Sequence, residues 1–272
     1  APKVDELEAF LSDESPSAFA AAVDRLLESP HFGEKWARHW LDLVRYAETK
    51  AFEQDYTMAY AYRYRDYLIR AFNDDLPYDQ FVREALAGDL FPKPRFSPDD
   101  EINESIMGPG FLYLTDGQHG PPDLHEDEAR IFSGMIDVTS KAFLGSTLKC
   151  ARCHDHKFDP FTSRDFYQFA AFFADIKQLG YYPGAQSRGW GEVLRVPSDA
   201  QSAKLKQLEL RLAEAGKGLD DEAKKKNEPY KKATTERDNF LKSLPSVLAT
   251  VSSKPQETRI LPRGNWMDKT GD

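Results

Sequence analysis

The chain has only two cysteines in 272 residues, Cys150 and Cys153, and both lie in one short motif. No thiol is left for a structural disulfide elsewhere, so cysteine use here is local and chemical. Long apolar runs are also missing. Stretches such as Phe169–Ala174 fall far short of the ~20 residues a membrane-spanning helix needs. Positive charge is in deficit, with 36 Lys and Arg against 45 Asp and Glu for a net charge of -9. That balance argues against nucleic acid as a partner, because phosphate backbones are held by clustered cations. Ala1 to Glu6 have neither the basic nor the apolar part of a secretory leader, so any leader is expected to have been removed or left out. No internal repeat is visible. What the chain does have is 40% hydrophobic residues with 18 Phe, 12 Tyr and 4 Trp, too many for a disordered polymer and enough for a substantial core.

Apolar residues recur at helical spacing through most of the first ninety positions. Ser15-Pro16 followed by Phe19, Val23, Leu26 and Leu27 predicts one helix, and Trp36, Trp40, Leu43, Val44 and Ala47 predict a second on which His39 is expected to face inward. Tyr60 to Phe72 and Asp75 to Ala87 predict two more. The proline- and glycine-rich stretch from Pro92 to Pro122 reads as a loop-rich connection. Ile131, Met135, Val138 and Ala142 then mark a helix that stops near Gly145. Thr162 with Asp165 reads as a capping pair for a helix whose face, Phe166, Phe169, Ala170 and Phe173, could wall a flat hydrophobic ligand.

Beyond a second glycine- and proline-rich stretch, Asp199–Lys242 carries 11 basic and 9 acidic residues and reads as two antiparallel helices around Gly216 and Gly218. Val247–Val251 and Thr258–Leu261 are short β-branched runs able to pair as a hairpin. The expected architecture is mainly α. A multi-helix haem-binding domain (1–198) is followed by a charged helical hairpin (199–244) and a short β segment (245–272) leading to a further domain.

The chemistry sits in Cys150-Ala151-Arg152-Cys153-His154, a C-x-x-C-H motif. Two thiols at this spacing can each join one vinyl group on the same porphyrin edge, and the adjacent histidine is then delivered to the iron as its proximal ligand. Haem c is therefore the expected cofactor, in an electron carrier or a haem-dependent oxidoreductase of the periplasm or another extracytoplasmic compartment. Two other chemistries compete. Cys150, Cys153, His154 and His156 could ligate zinc in a non-enzymatic scaffold, although the second cysteine pair that normally completes such a site is absent. A thiol-redox C-x-x-C would need a βαβ setting, and the surroundings read as helical.

His156 is a candidate to support the cofactor or to hold a second metal, with a solvated loop histidine as the alternative, and Asp155 and Asp159 could orient histidines. For the sixth iron position the candidates are His39, beside Trp36 on the second helix, His119 and His125 near the glycine-rich connection, and the thioethers of Met107 and Met135. His31 reads as a turn residue. Tyr46, Tyr60, Tyr62, Tyr64 and Tyr67 could line a pocket with Trp36 and Trp40, or could simply build an aromatic core.

The segments Val23–Asp42, Phe72–Phe81, Ala142–Gly145 and Cys150–Pro160 resemble the planctomycete-type cytochrome-c-associated proteins, large exported proteins with conserved domains of unknown function. The resemblance covers nearly the whole chain, with one departure at Gly145–Lys149, where the family is commonly more apolar. It implies that Thr258–Gly264 is a junction to a second domain, and that His39, Asp42, Arg45, His156 and Asp159 belong to the site. It further implies a redox partner, or a downstream domain of the same chain, and a link to extracellular carbohydrate breakdown.

Overall fold

The computed structural model describes residues 2–49, 57–58, 60–98, 101–114, 123–176, 192–268 and 270–271, with the backbone alone for Leu124, His125, Glu128, Glu192 and Val193. The fold is mainly helical. Helices α1 (Val4–Ser12), α2 (Ala18–Leu27), α3 (His31–Leu43), α4 (Ala61–Asn73) and α5 (Tyr78–Ala87) come first, then α6 (Leu124–Leu144) and α7 (Ser163–Ala171). Strand β1 (Glu192–Arg195) follows, then α8 (Asp199–Ala215), α9 (Asp221–Lys226), α10 (Glu228–Ser243) and β2 (Ser246–Ala249).

Helix α3 packs antiparallel on α4 along Gly33, Ala37, Trp40 and Val44, all buried at spacings of four, three and four. Gly33 N–H donates to Asn73 Oδ1 at 2.7 Å, and Trp40 Nε1–H donates to Tyr64 Oη at 3.1 Å, which pins both ends of the pair. That register turns the adjoining stripe outward. Trp36 is 49% exposed and His39 is exposed, which corrects the inward orientation expected for His39. Tyr64 and Tyr67 are core residues, while Tyr62 is exposed and Tyr46 and Tyr60 are partly buried. Helices α1 and α2 contribute no buried residue and leave Val4, Leu11, Phe19 and Leu26 on the surface.

The connection expected to be an irregular loop contains a 3-10 segment, Ser105–Tyr113, buried throughout except for the partly exposed Ile106, which packs on α5, α4 and β2. Its glycines permit close backbone approach. A Cβ on Gly108 would come within 2.1 Å of the Glu84 carbonyl oxygen, so only glycine lets this segment lie against α5.

A buried ionic network locks the same layer. Glu84 and Glu104 are both 0% exposed. Glu84 accepts hydrogen bonds from Tyr67 Oη (3.0 Å), Ser105 Oγ (3.1 Å) and the Arg95 guanidinium (3.2 Å), while Glu104 pairs with Arg70 and Arg95. Two buried carboxylates are tolerated because two guanidiniums and two hydroxyls meet them.

The charged segment forms the expected antiparallel pair, α8 along α10, with the short α9 between them. Each start is capped by a side chain: Ser198 Oγ accepts from Gln201 N, Asp220 from Ala223 N, and Asn227 from Tyr230 N. The β element differs from expectation. β2 pairs antiparallel with β1, in the register Glu192↔Ala249 to Arg195↔Ser246, rather than with Thr258–Leu261. The two strands thus close the base of the helical hairpin. Val247, Leu248 and Ala249 are buried against Ser105–Tyr113 and α4, a burial the later run does not have.

Candidate functional site

Helix α6 ends at Leu144, and the chain passes through a 3-10 segment, Leu148–Arg152, into Cys153 and His154. Residues three apart share a face in a 3-10 turn. Leu148 and Ala151 take the inner face and are buried against α6 and α7, so Cys150 and Cys153 fall together on the outer side. Both are free, exposed thiols.

His154 is also exposed, and its Nδ1 lies 2.8 Å from the Asp155 carbonyl oxygen. A carbonyl can only accept, so Nδ1 carries the proton and Nε2 keeps its lone pair. The Asp155 carboxylate serves a different purpose, accepting from Ser163 N–H at 2.9 Å at the start of α7. Thr162 and Asp165 form the expected reciprocal cap of that helix, with Asp165 N–H to Thr162 Oγ1 at 3.2 Å and Thr162 N–H to Asp165 Oδ2 at 2.7 Å.

The side chain of His156 is only 5% exposed, so it is not a solvated loop residue. Its Nδ1 accepts from the Asp159 backbone N–H at 2.9 Å, which makes Nε2 the protonated nitrogen and the donor to Thr147 Oγ1, also at 2.9 Å. The backbone N–H of His156 donates to the Phe161 carbonyl at 2.7 Å. This one residue therefore ties Thr147, Asp159 and Phe161 together and holds the loop that presents His154. The Asp159 carboxylate lies 3.4 Å from the same ring.

The C-terminal segment returns onto the motif, a juxtaposition with no local signature in the sequence. Arg152 donates to the Gly264 carbonyl at 3.2 Å, and Tyr167 Oη donates to the Arg152 carbonyl at 3.1 Å, with the Leu261 carbonyl 3.4 Å away. Burial raises the Tyr167 pKa, outweighing the nearby Arg152 guanidinium, which lowers it. Gly264 has φ +69°, and a Cβ there would meet Cys153 Sγ at 2.7 Å, so glycine is needed both for the turn and for the thiol packed against it.

The other sequence candidates lie apart from this loop. Trp36 and His39 meet at a 60° tilt with centroids 5.5 Å apart on the exposed face of α3, and Asp42 is exposed on the same helix. Arg45, in the left-handed region at φ +60°, donates to the Gly134 carbonyl at 3.0 Å and so ties the end of α3 to α6. Met107 and Met135 are buried in the core at 2% and 0% exposure. His31 pairs with Glu34 at 2.8 Å on the surface. His119 lies outside the described residues, and for His125 only the backbone in α6 is described. Phe166 is buried in α7, edge-on to Tyr167 with centroids 5.0 Å apart. Among the described residues, no group of three or more His, Cys, Asp or Glu side chains gathers as a metal site would require, so Cys150, Cys153, His154 and His156 do not form a zinc-like cluster. No described helix is long and apolar enough to cross a membrane.

No curated protein and no solved structure matches the chain. The PSCyt2 model, described as "Protein of unknown function (DUF1549)", matches residues 1–178, a span that takes in α1 to α7 and the whole Cys150–Pro160 loop. With well over half its length matched, the chain belongs to the PSCyt2 family.

Proposed function

We propose that the chain is a c-type haem redox protein, with Cys150 and Cys153 as the attachment thiols and His154 as the proximal ligand of the iron. The observation that carries this reading is the state of His154. An exposed imidazole whose Nδ1–H is committed to the Asp155 carbonyl presents an unshared Nε2 pair, the arrangement in which histidine ligates metals. The chemistry of the two thiols supports it. Each S–H adds across one vinyl C=C, sulfur bonding one carbon and hydrogen the other, with no net oxidant consumed. When bound, the haem supplies a one-electron couple whose potential is set by axial ligands, hydrogen bonding and exposure.

The chain's own residues do the positioning. The 3-10 turn places both thiols on one face, the His156 clasp fixes the loop, and the Asp155 carbonyl sets the imidazole tautomer. The electron partner would be a separate redox protein or a further domain of the same polypeptide, in an extracytoplasmic setting where carbohydrate breakdown is one use. The test is expression in a host with haem-maturation machinery, followed by a pyridine haemochrome assay on denatured protein. One covalently retained haem is expected, reduced to single-thioether attachment in Cys150→Ser or Cys153→Ser. Denatured wild-type protein that retains no haem overturns the reading.

A further inference from the structure

Helices α1 and α2 stand apart from the core. They are nine and ten residues long and contribute no buried residue. They pack mainly on each other, with Arg25 of α2 paired to Glu6 of α1 at 3.4 Å. Helices this short are marginal in water, because few hydrogen bonds offset the cost of starting the helix, and most helices in proteins are stabilised by covering an apolar face. Here the apolar side chains are uncovered. Val4, Leu7 and Leu11 recur at spacings of three and four along α1, and Phe19, Leu26 and Leu27 lie on α2. Val4, Leu11 and Phe19 are 73%, 71% and 73% exposed. A single exposed leucine is ordinary, but eight large apolar side chains exposed on one short helix pair mark an interaction surface.

Charge decides what covers it. Residues 1–29 hold seven Asp or Glu against Lys3 and Arg25, a net -5 out of -9 for the whole chain, and Arg25 is already engaged by Glu6. A second copy would bring two such faces together and repel itself. Helices that lie on membranes carry Lys and Arg on the polar face, the opposite of this pair. We infer that α1 and α2 form a docking surface for a cationic amphipathic helix of a partner protein. Its apolar stripe covers Val4, Leu11, Phe19 and Leu26, and its Lys or Arg side chains meet the surrounding carboxylates. This is the recognition of an amphipathic helix by an apolar surface, with burial supplying affinity and charge supplying orientation and encounter rate. The surface lies on helices separate from the Cys150–Asp159 loop and does not depend on the haem reading.

The test titrates the whole chain into a fluorescein-labelled leucine/lysine peptide of about 14 residues patterned at helical periodicity, followed by fluorescence anisotropy. Saturable one-to-one binding is expected. A leucine/glutamate peptide of the same pattern, and a scrambled leucine/lysine peptide without the stripe, should each bind at least about tenfold more weakly. Phe19→Ser/Leu26→Ser should weaken binding by about tenfold or more. Glu8→Lys/Asp24→Lys should weaken it by at least about threefold. Neither pair is buried, so the core is not at risk, and circular dichroism checks that the helices persist. Leu210→Ser, on exposed α8, should leave affinity unchanged. Equal binding of the scrambled or acidic peptide, or affinity unchanged in Phe19→Ser/Leu26→Ser, overturns the proposal. So does sedimentation of the wild type as a dimer that this variant dissociates, which would make a second copy the occupant. Binding of the wild type to phosphatidylcholine vesicles, lost in the same variant, would make it a membrane surface and overturn the proposal too.

Discussion

Two polar regions of this molecule use their bonding side chains to opposite ends. In the network of Glu84, Glu104, Arg70 and Arg95, both carboxylates are fully buried and each meets guanidinium or hydroxyl donors within the core. In the Cys150–Asp159 loop the structural groups are equally committed, His156 above all, but the two thiols and the Nε2 of His154 are left facing outward. A buried charge whose bonding capacity is consumed inside the fold holds structure. A rigidly held group whose bonding capacity faces outward is positioned to bind something.

The sharpest way to break this comparison is to open the network. Glu104→Ala leaves the guanidiniums of Arg70 and Arg95 without their buried partner and is expected to cost about 3–5 kcal/mol, read as a lower urea midpoint. The alkylation rate of Cys150 and Cys153 in molecules that remain folded should not change. A loss under ~1 kcal/mol would mean that the pairs barely outweigh their own desolvation.

Alkaline titration tests the same layer without a mutation. Burial pushes the hydroxyl pKa of Tyr64 and Tyr67 upward, and the nearby Glu84 carboxylate adds to the effect at Tyr67. The neutral phenol is thus favoured in the folded state. This stabilisation is whole below the ordinary tyrosine pKa of ~10 and is lost progressively above it, because the unfolded chain releases protons that the folded one retains. Stability should fall as pH rises past that point, and tyrosinate absorbance should show a late fraction that ionises only with unfolding. Ionisation of every tyrosine near the ordinary value in a still-folded protein would contradict the packing.

A smaller and more local effect is expected at the clasp. His156→Ala removes the bonds to Thr147 and Asp159, at a cost of about 1–3 kcal/mol. Hydrogen exchange should show the loss confined to the loop 147–161, with α3, α4 and α5 unchanged. The smallest effect is expected at the thiols: Cys150→Ser and Cys153→Ser should change stability by no more than about 0.5 kcal/mol, since both side chains are exposed. A large loss there would make the cysteines structural and blur the contrast between the two regions.

Much of the fold was legible in the order of residues. The periodicity of Trp40 and Val44, of Tyr64, Leu68 and Ala71, and of Ile131, Met135 and Val138 marks three helices that the structure contains, and Thr162 with Asp165 marks the start of a fourth. Two readings failed for identifiable reasons. Ser105–Tyr113 looked like loop because glycine and proline usually punctuate turns, whereas here they admit backbone against α5 at the centre of the core. His39 looked buried because it adjoins Trp36 and Leu43, yet the packed stripe is Gly33, Ala37 and Trp40, one face over. A glycine and an alanine contribute little to an apolar count, although the closest helix contacts run through them.

At the candidate site, spacing alone put the two thiols on one side of the turn, because residues three apart share a face whenever the chain turns tightly. The burial of His156 and the return of Gly264 to the motif, more than a hundred residues away in the chain, were decided only by the tertiary structure. Local geometry is a property of neighbours in the chain, which a sequence displays directly. Which side chain is buried, and which distant segment comes to lie on a turn, depend on packing between parts of the chain far apart in sequence, and no local pattern encodes that.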